Sequence, residues 1–288
     1  WPRTRPARLH SRPIGIRNNH RLDAHLPSPN NASTMDLDLS NQTILVTGAS
    51  RGIGRAAAEA LADTGATVAV HYGRSEDAAA EVVAACGRGA RAFQADLSTL
   101  EATDALIERV VDAYGRLDAL VLNAGVAVPT PLDDDTQSWG DAWAETMHVN
   151  LRAPELLCRH ALDHFRSRSP SGGRIISVAS RAAFRGDTPD YMTYAASKAG
   201  LVALTRSIAR EFGTDGVKAF TLAPGFTRTD MAQDFIEEYG EAHATSDLAL
   251  NELTEPADVA AVVVFLASGH ADHATGTTVD VNAGSYVH

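Results

Sequence analysis

Lysine is almost missing from this chain. Of its 25 basic residues only Lys198 and Lys218 are lysines, and the rest are arginines. Cysteine is as scarce. Cys86 and Cys158 are too few for a disulfide framework, and both fall in helix-like stretches, which points to a reducing compartment. The 11 histidines are scattered and form no His/Cys cluster with zinc spacing, so no metal is expected. The longest strongly apolar run, VAAVVVFLA at 259–267, is far short of a bilayer span. A soluble, cytoplasmic protein without a membrane partner is the expectation. The triplets Asn31-Ala-Ser and Asn41-Gln-Thr are dismissed as chance glycosylation signals for the same compartment reason. No internal repeat stands out. What remains is 288 residues, 44% hydrophobic and 21% charged, enough to bury a sizeable core without staples.

The net charge of −11 is unevenly placed. Residues 1–34 carry six arginines and one aspartate, a charge of +5, so the remainder carries −16. A body that acidic argues against nucleic acid as a partner. The leader has five prolines and no helical or strand period, and reads as disordered. Its arginine-rich composition fits a transit peptide or a basic arm for an anionic surface. The reading preferred here is that Met35 is the natural start, because the stretch lacks the amphipathic pattern of an import helix. Residues 36–288 show no linker and are expected to form a single domain.

From residue 43 onward, short apolar runs alternate with alanine-rich stretches. Residues 43–47, 66–72, 90–95, 117–122, 173–179, 217–223 and 277–281 read as strands, apolar at successive positions as strands covered on both faces must be. Residues 52–64, 75–86, 99–115, 136–168, 192–213 and 256–267 read as helices between them. The alternation implies an α/β fold: a doubly wound parallel seven-stranded sheet with helices on both faces. Residues 226–255 show no strand and weaker periodicity, and read as a helical flap beyond the carboxyl ends of the strands.

The first strand runs straight into Thr47-Gly-Ala-Ser-Arg-Gly-Ile-Gly54 and then a helix. Glycine allows close backbone approach, and a helix start offers free N–H groups and a partial positive charge. The turn therefore suits a pyrophosphate. A P-loop is excluded because no Gly-Lys-[ST] follows. Further on, Thr193-Tyr-Ala-Ala-Ser-Lys-Ala-Gly200 sets a tyrosine four residues before one of only two lysines, on one face of a helix.

TGxxxGxG at 47–54, Asn123-Ala-Gly125 after the fourth strand and Tyr194-x-x-x-Lys198 together resemble the short-chain dehydrogenase/reductase family, in its 3-oxoacyl-thioester reductase and glucose-dehydrogenase-like branches. Asp96, Asn150, Ser180 and Pro224-Gly225 follow in the expected order, so the resemblance spans about residues 40–285. It implies a Rossmann-type fold and an oxidoreductase that moves a hydride between nicotinamide and a carbonyl or secondary alcohol. It further implies a homodimer or homotetramer joined through the helices at 136–168 and 192–213. The alternatives weighed are a catalytically silent dinucleotide sensor or scaffold on the same fold and, far behind it, a methyltransferase, in which the Tyr/Lys pair has no role.

The catalytic residues implied are Asn150, Ser180, Tyr194 and Lys198. Tyr194 exchanges the hydroxyl proton, and Lys198 lowers its pKa and bonds the nicotinamide ribose. Ser180 orients the substrate oxygen, with Ser177 as its rival. Asn150 kinks its helix and holds a water near the lysine. The cofactor-binding residues implied are Gly48, Ser50, Arg51, Gly52, Ile53, Gly54, Arg74, Asp96, Leu97, Asn123, Ala124, Gly125, Pro224, Gly225 and Thr227, with Tyr194 and Lys198. The second strand ends His71-Tyr-Gly-Arg74 with no acid until Glu76, and Arg51 lies in the glycine turn. Two guanidiniums near the ribose favour NADP(H) over NAD(H). The substrate is a small molecule. Val126, Ala127, Val128, Ala182, Phe184, Met192, Met231 and Phe235 are expected to line a partly apolar pocket. The stretch between Ser180 and Tyr194 runs about one residue longer than the resemblance implies.

Overall fold

The strands of the sheet are β1 (Thr43–Val46), β2 (Thr67–Tyr72), β3 (Arg91–Gln94), β4 (Ala119–Leu122), β5 (Gly173–Val178), β6 (Val217–Pro224) and β7 (Thr278–Val281). They pair in the order β3-β2-β1-β4-β5-β6-β7, each neighbour parallel to the next. This is a computed structural model, and it describes residues 37–87, 89–230, 232 and 245–287. The basic leader lies outside the described residues, as do Met231 and Phe235.

The double-sided burial follows from the two-residue period of a strand. Ile44 and Val46 point into one core with Val68, Val70 and Val121, while Leu45 points into the other with Ala69 and Leu120. A strand apolar at every position must be covered on both faces. Helices α1 (Gly52–Asp63) and α2 (Glu76–Cys86) cover the first face; α3 (Leu100–Asp104) and α4 (Leu106–Tyr114) follow β3, and α4 covers the second. Helix α5 (Thr136–Met147) comes next. Helices α6 (Ala153–Ser167) and, beyond the short α7 (Ala182–Arg185), α8 (Met192–Glu211) complete the second face, and α9 (Pro256–Ala267) completes the first. Each fully buried Leu or Ile contributes roughly 1.5–3 kcal/mol.

Local signals set the helix ends. The Asp135 carboxylate accepts from the N–H groups of Gln137 and Ser138 and starts α5. Glu255 and Asp258 form a reciprocal capping box around Pro256 at the start of α9. Gly115, left-handed at φ 74, closes α4.

Three elements depart from the sequence pattern. The helix expected over 99–115 is interrupted at Ala105, between α3 and α4. The helix expected over 136–168 is interrupted by a π turn at His148–Arg152, which centres on the buried Asn150. The fourth strand begins at Ala119 rather than 117: the Leu117 N–H goes to His164 Nε2 at 3.1 Å, while the Asp118 backbone still bonds Thr43 and Arg174 on either side. Of the stretch 226–255 expected as a flap, residues 231 and 233–244 lie outside the described residues; at its two ends Thr227 and Thr254 form an isolated parallel bridge, and Arg228 reaches Glu255 at 2.8 Å.

Candidate active site at the carboxyl ends of the strands

The strand order reverses between β1 and β4, and the loops leaving those strands border the crevice where parallel sheets bind ligands. The two loops are stitched together. The Thr47 hydroxyl accepts from the N–H groups of Asn123 (2.9 Å) and Ala124 (3.0 Å). The Asn123 amide donates to the carbonyls of Thr47 (3.0 Å) and Gly48 (3.1 Å). Glycine is required here for two separate reasons. Gly48 has φ +63, and a Cβ on it would lie 2.9 Å from the Ala124 Cα; a Cβ on Gly54 would collide with the Gly48 carbonyl and the Asn123 amide. Helix α1 begins at Gly52 with no side-chain cap and no acidic residue in its first turn, so its N–H groups are left for a ligand. This backbone cradle fits the phosphates of a dinucleotide.

Around it, Ser50 and Ile53 are partly buried, while Arg51, Arg74 and Asp96 are exposed and Leu97 is buried. Arg51 lies 3.6 Å from Asp230 at the start of the flap. The Asp96 carboxylate turns into its own loop, accepting from the Ser98 hydroxyl (2.7 Å) and N–H (3.0 Å). Those bonds, with a smaller contribution from Arg74, hold it below the usual carboxylate range. On the far side, Gly225 donates its N–H to Val281 at 3.0 Å, Pro224 accepts from the Arg181 N–H at 2.9 Å, and Thr227 is buried.

The structure brings Ser180, Tyr194 and Lys198 together. Ser180 ends the run that forms β5 and is partly exposed; its hydroxyl accepts from the Ala182 N–H at 3.1 Å and acts on the neighbouring Tyr194 phenol. Ser177 is within the strand, fully buried, and accepts from Thr205 at 2.8 Å, away from the tyrosine. The Lys198 ammonium lies 5.8 Å from the centre of the Tyr194 ring and donates to the Val178 carbonyl at 3.0 Å. It does not bond the phenol oxygen, and the expected lowering of the tyrosine pKa is not what the packing produces. Burial pushes Tyr194 above its ordinary value, the neighbouring Ser180 hydroxyl pulls it back, and Asp187 adds to the rise. Burial also pulls Lys198 down to about 8.

Asn150 is fully buried and spends its side chain internally: its oxygen accepts from the Val126 N–H at 2.8 Å, and its amide donates to the Val126 carbonyl (2.8 Å) and the Ser197 hydroxyl (3.0 Å). Gly125 fits between it and the lysine, for a Cβ there would lie 3.2 Å from Asn150 Oδ1 and 3.1 Å from Lys198 Nζ. The longer stretch after Ser180 forms α7, a left-handed Gly186 and a 3-10 turn at Pro189–Tyr191. Buried Thr130 fastens that turn, bonding the Asp190 carbonyl through its N–H (2.8 Å) and its hydroxyl (3.1 Å). Among the pocket candidates, Val126, Ala127, Val128 and Phe184 are partly buried, Ala182 is buried and Met192 is half exposed.

Sequence reasoning missed the stitching role of Thr47, although that residue opens the glycine motif. It also missed Ser197, Thr130 and His71, whose partners are 23 to 63 residues away and leave no local signal. Among the described residues, no group of three or more His, Cys, Asp or Glu could hold a metal, and no helix is long and apolar enough to cross a membrane.

These features define a class: an α/β protein with a dinucleotide cradle at its switch point and a Ser/Tyr/Lys group beside it. Comparison with known proteins supplies the family. The sequence model of a family described as Enoyl-(Acyl carrier protein) reductase matches residues 48–286. The 3beta-hydroxysteroid dehydrogenase 1 of Eggerthella lenta is 36% identical over 251 residues, covering 86% of this chain and 94% of that one. The 3-oxoacyl-(acyl-carrier-protein) reductase FabG of Vibrio harveyi is 35% identical, over 87% of this chain and 100% of its own. A putative NAD(P) dependent gluconate 5-dehydrogenase from Beutenbergia cavernae, solved with bound NADP at low occupancy, superposes with a TM-score of 0.79 at 33% identity, covering 87% of this chain and 98% of its own. The chain belongs to the short-chain dehydrogenase/reductase family, and it is an oxidoreductase that works with a nicotinamide cofactor.

Proposed function

We propose that the protein is an NADP(H)-dependent reductase or dehydrogenase that interconverts a carbonyl and a secondary alcohol, on a 3-oxoacyl-thioester-like or small ketone substrate. The observation that carries the reading is the buried ammonium of Lys198, 5.8 Å from the centre of the Tyr194 ring and held by the Val178 carbonyl at 3.0 Å, at the end of the strand that leads to Ser180. A bound nicotinamide supplies or accepts the hydride. Tyr194 supplies the proton: with burial raising its pKa, the phenol is protonated at neutral pH and suits a proton donor to the carbonyl oxygen. Ser180 donates to the same oxygen and steadies the charge that develops there. Lys198 offsets the negative charge left on Tyr194 as the proton departs. Asn150, through Val126 and Ser197, holds the loop after β4 against α8, and the π turn around it is the proposed seat of a water path to the lysine.

The choice of NADP(H) rests on Arg51 and Arg74, with no carboxylate at the end of β2, and the NADP bound by the Beutenbergia protein supports it. Arg74→Asp is expected to weaken NADPH binding about 100-fold, as loss of a charge-assisted pair and its replacement by repulsion would. Equal use of NADH and NADPH by the wild type counts against the assignment. The partly apolar lining at 126–128 and 182–184, and the reductases among the relatives, support the substrate class. Oxidation of NADPH against a panel of ketones, acyl thioesters and sugars tests it; turnover confined to sugars removes it.

The reading includes a soluble, cytoplasmic homodimer or homotetramer. The outer faces of α6 and α8 border a groove of about 790 Å³ that excludes Tyr194 and Lys198, and Trp139 and Trp143 are exposed on α5. A second copy covering those faces is expected, and sedimentation showing only monomer contradicts it.

A further inference from the structure

We propose that His71 is a positioning residue: its imidazole couples the glycine turn to the loop after β3 and so sets the adenosine half of the cofactor cradle. The inference rests on reading that turn as the cradle. His71 is in β2, only 2% exposed, with both ring nitrogens engaged. Its Nδ1 accepts from the Gly48 N–H at 3.0 Å, and its Nε2 lies 3.0 Å from the Ala95 carbonyl. The backbone reinforces both links, since Ala49 donates to the His71 carbonyl at 2.8 Å and Ala95 donates to Tyr72 at 3.0 Å.

The chemistry of the two partners leaves one state of the ring. A backbone N–H only donates, so Nδ1 must present its lone pair; a carbonyl only accepts, so Nε2 must carry the hydrogen. An imidazolium would set a second N–H against that of Gly48. Burial, with the charge of Arg109 on α4, accordingly pulls His71 down to about 4, offset in part by its bond to Ala95. No other uncharged side chain of this reach offers an acceptor and a donor on opposite sides of a rigid ring.

The two ends of this bridge matter for the cofactor. Gly48 is left-handed and leaves no room for a Cβ beside Ala124, and its carbonyl accepts from Asn123, so a displaced Gly48 disturbs the turn and the loop after β4 together. Ala95 immediately precedes Asp96 and Leu97, both among the expected cofactor-binding residues, as Arg74 near the adenosine ribose also is. Through one ring, β2 thus fixes the separation of the pyrophosphate turn and the loop after β3.

Three variants separate this role from plain core packing. His71→Asn keeps an acceptor near the Nδ1 position, His71→Gln keeps a donor toward Ala95, and His71→Leu keeps neither. Affinity is measured by fluorescence titration with NADPH, with 2′,5′-ADP for the adenosine half and nicotinamide mononucleotide for the other. Turnover at saturating NADPH and thermal melting are followed alongside. His71→Leu is expected to weaken NADPH and 2′,5′-ADP alike, by about 10-fold or more, with nicotinamide mononucleotide and kcat changed less than about 2-fold. His71→Asn is expected to recover most of the loss. A folded His71→Leu with wild-type affinity for 2′,5′-ADP overturns the proposal. Should His71→Leu not fold, Asn binding NADPH more tightly than Gln supports it, and equal affinities overturn it. Wild type that fails to bind NADPH removes the cofactor reading and this inference with it, whereas intact wild-type binding unchanged by the variants removes only the inference.

Discussion

Buried charges lie at both ends of the sheet, and the protein treats them in opposite ways. At the amino ends of the strands, the Asp118 carboxylate accepts from Arg116 (2.8 and 2.7 Å), Arg168 (2.7 Å) and the Thr43 N–H (2.8 Å). Burial alone would push this carboxyl up; two guanidiniums and a backbone donor hold it below its ordinary value. At the carboxyl ends, Lys198 is just as buried, but no carboxylate pairs with it among the described residues. A carbonyl and the face of a tyrosine ring are its company, and its pKa falls to about 8. An ion whose every bond is satisfied holds structure and has little left to exchange. An ion short of partners destabilises the fold and remains responsive to whatever enters the crevice. The comparison assigns stability to one end of the sheet and chemistry to the other.

The largest effect should come from the carboxyl end. Tyr194→Phe is expected to lower kcat by about 10²–10⁴-fold, the range for loss of a general acid, while NADPH affinity by fluorescence titration stays within about 3-fold. Turnover retained by this variant takes the proton-donor role from Tyr194.

Next in size, Asp118→Asn should leave Arg168 half satisfied and cost about 3 kcal/mol in urea unfolding, with kcat unchanged. A loss of activity without loss of stability would erase the division between the two ends. Because the folded carboxyl lies below its unfolded value, its contribution is complete above pH 4–5 and drains away as the pH falls through the folded pKa. The variant should flatten that part of the acid-unfolding curve.

The smallest expected effect has the opposite sign. Lys198 titrates near 8 when folded and near 10.5 when unfolded. Between those values the unfolded chain holds a proton that the folded chain has released, so stability should climb with pH. Lys198→Met should remove the climb. A wild type that loses stability across this window relative to the variant would show that the ammonium has a buried partner after all.

Some of this was legible along the chain. ILV in the first strand and ALVL in the fourth are apolar at each position, which a strand covered on both faces accommodates, and the parallel sheet followed. The glycine turn and the Tyr/Lys spacing also declared themselves, since both depend on residues within one turn of each other. The choice of Ser180 over Ser177 rested on where β5 ends; Ser177 is buried within the strand and bonded to Thr205. The break at Ala105 was not legible in the pattern of apolar residues, and the one at Asn150 came only from the resemblance. Nor was the Asp118 cluster legible, where Arg116 is local but Thr43 and Arg168 come from 75 residues before and 50 after.

Backbone conformation and the pattern of burial, then, are written in the sequence, because sterics and side-chain alternation act between near neighbours. The protonation of Tyr194, Lys198, His71 and Asp118 was decided only by the tertiary structure. Desolvation and Coulomb interaction depend on what surrounds a group in space, and for these residues the surroundings come from distant parts of the chain.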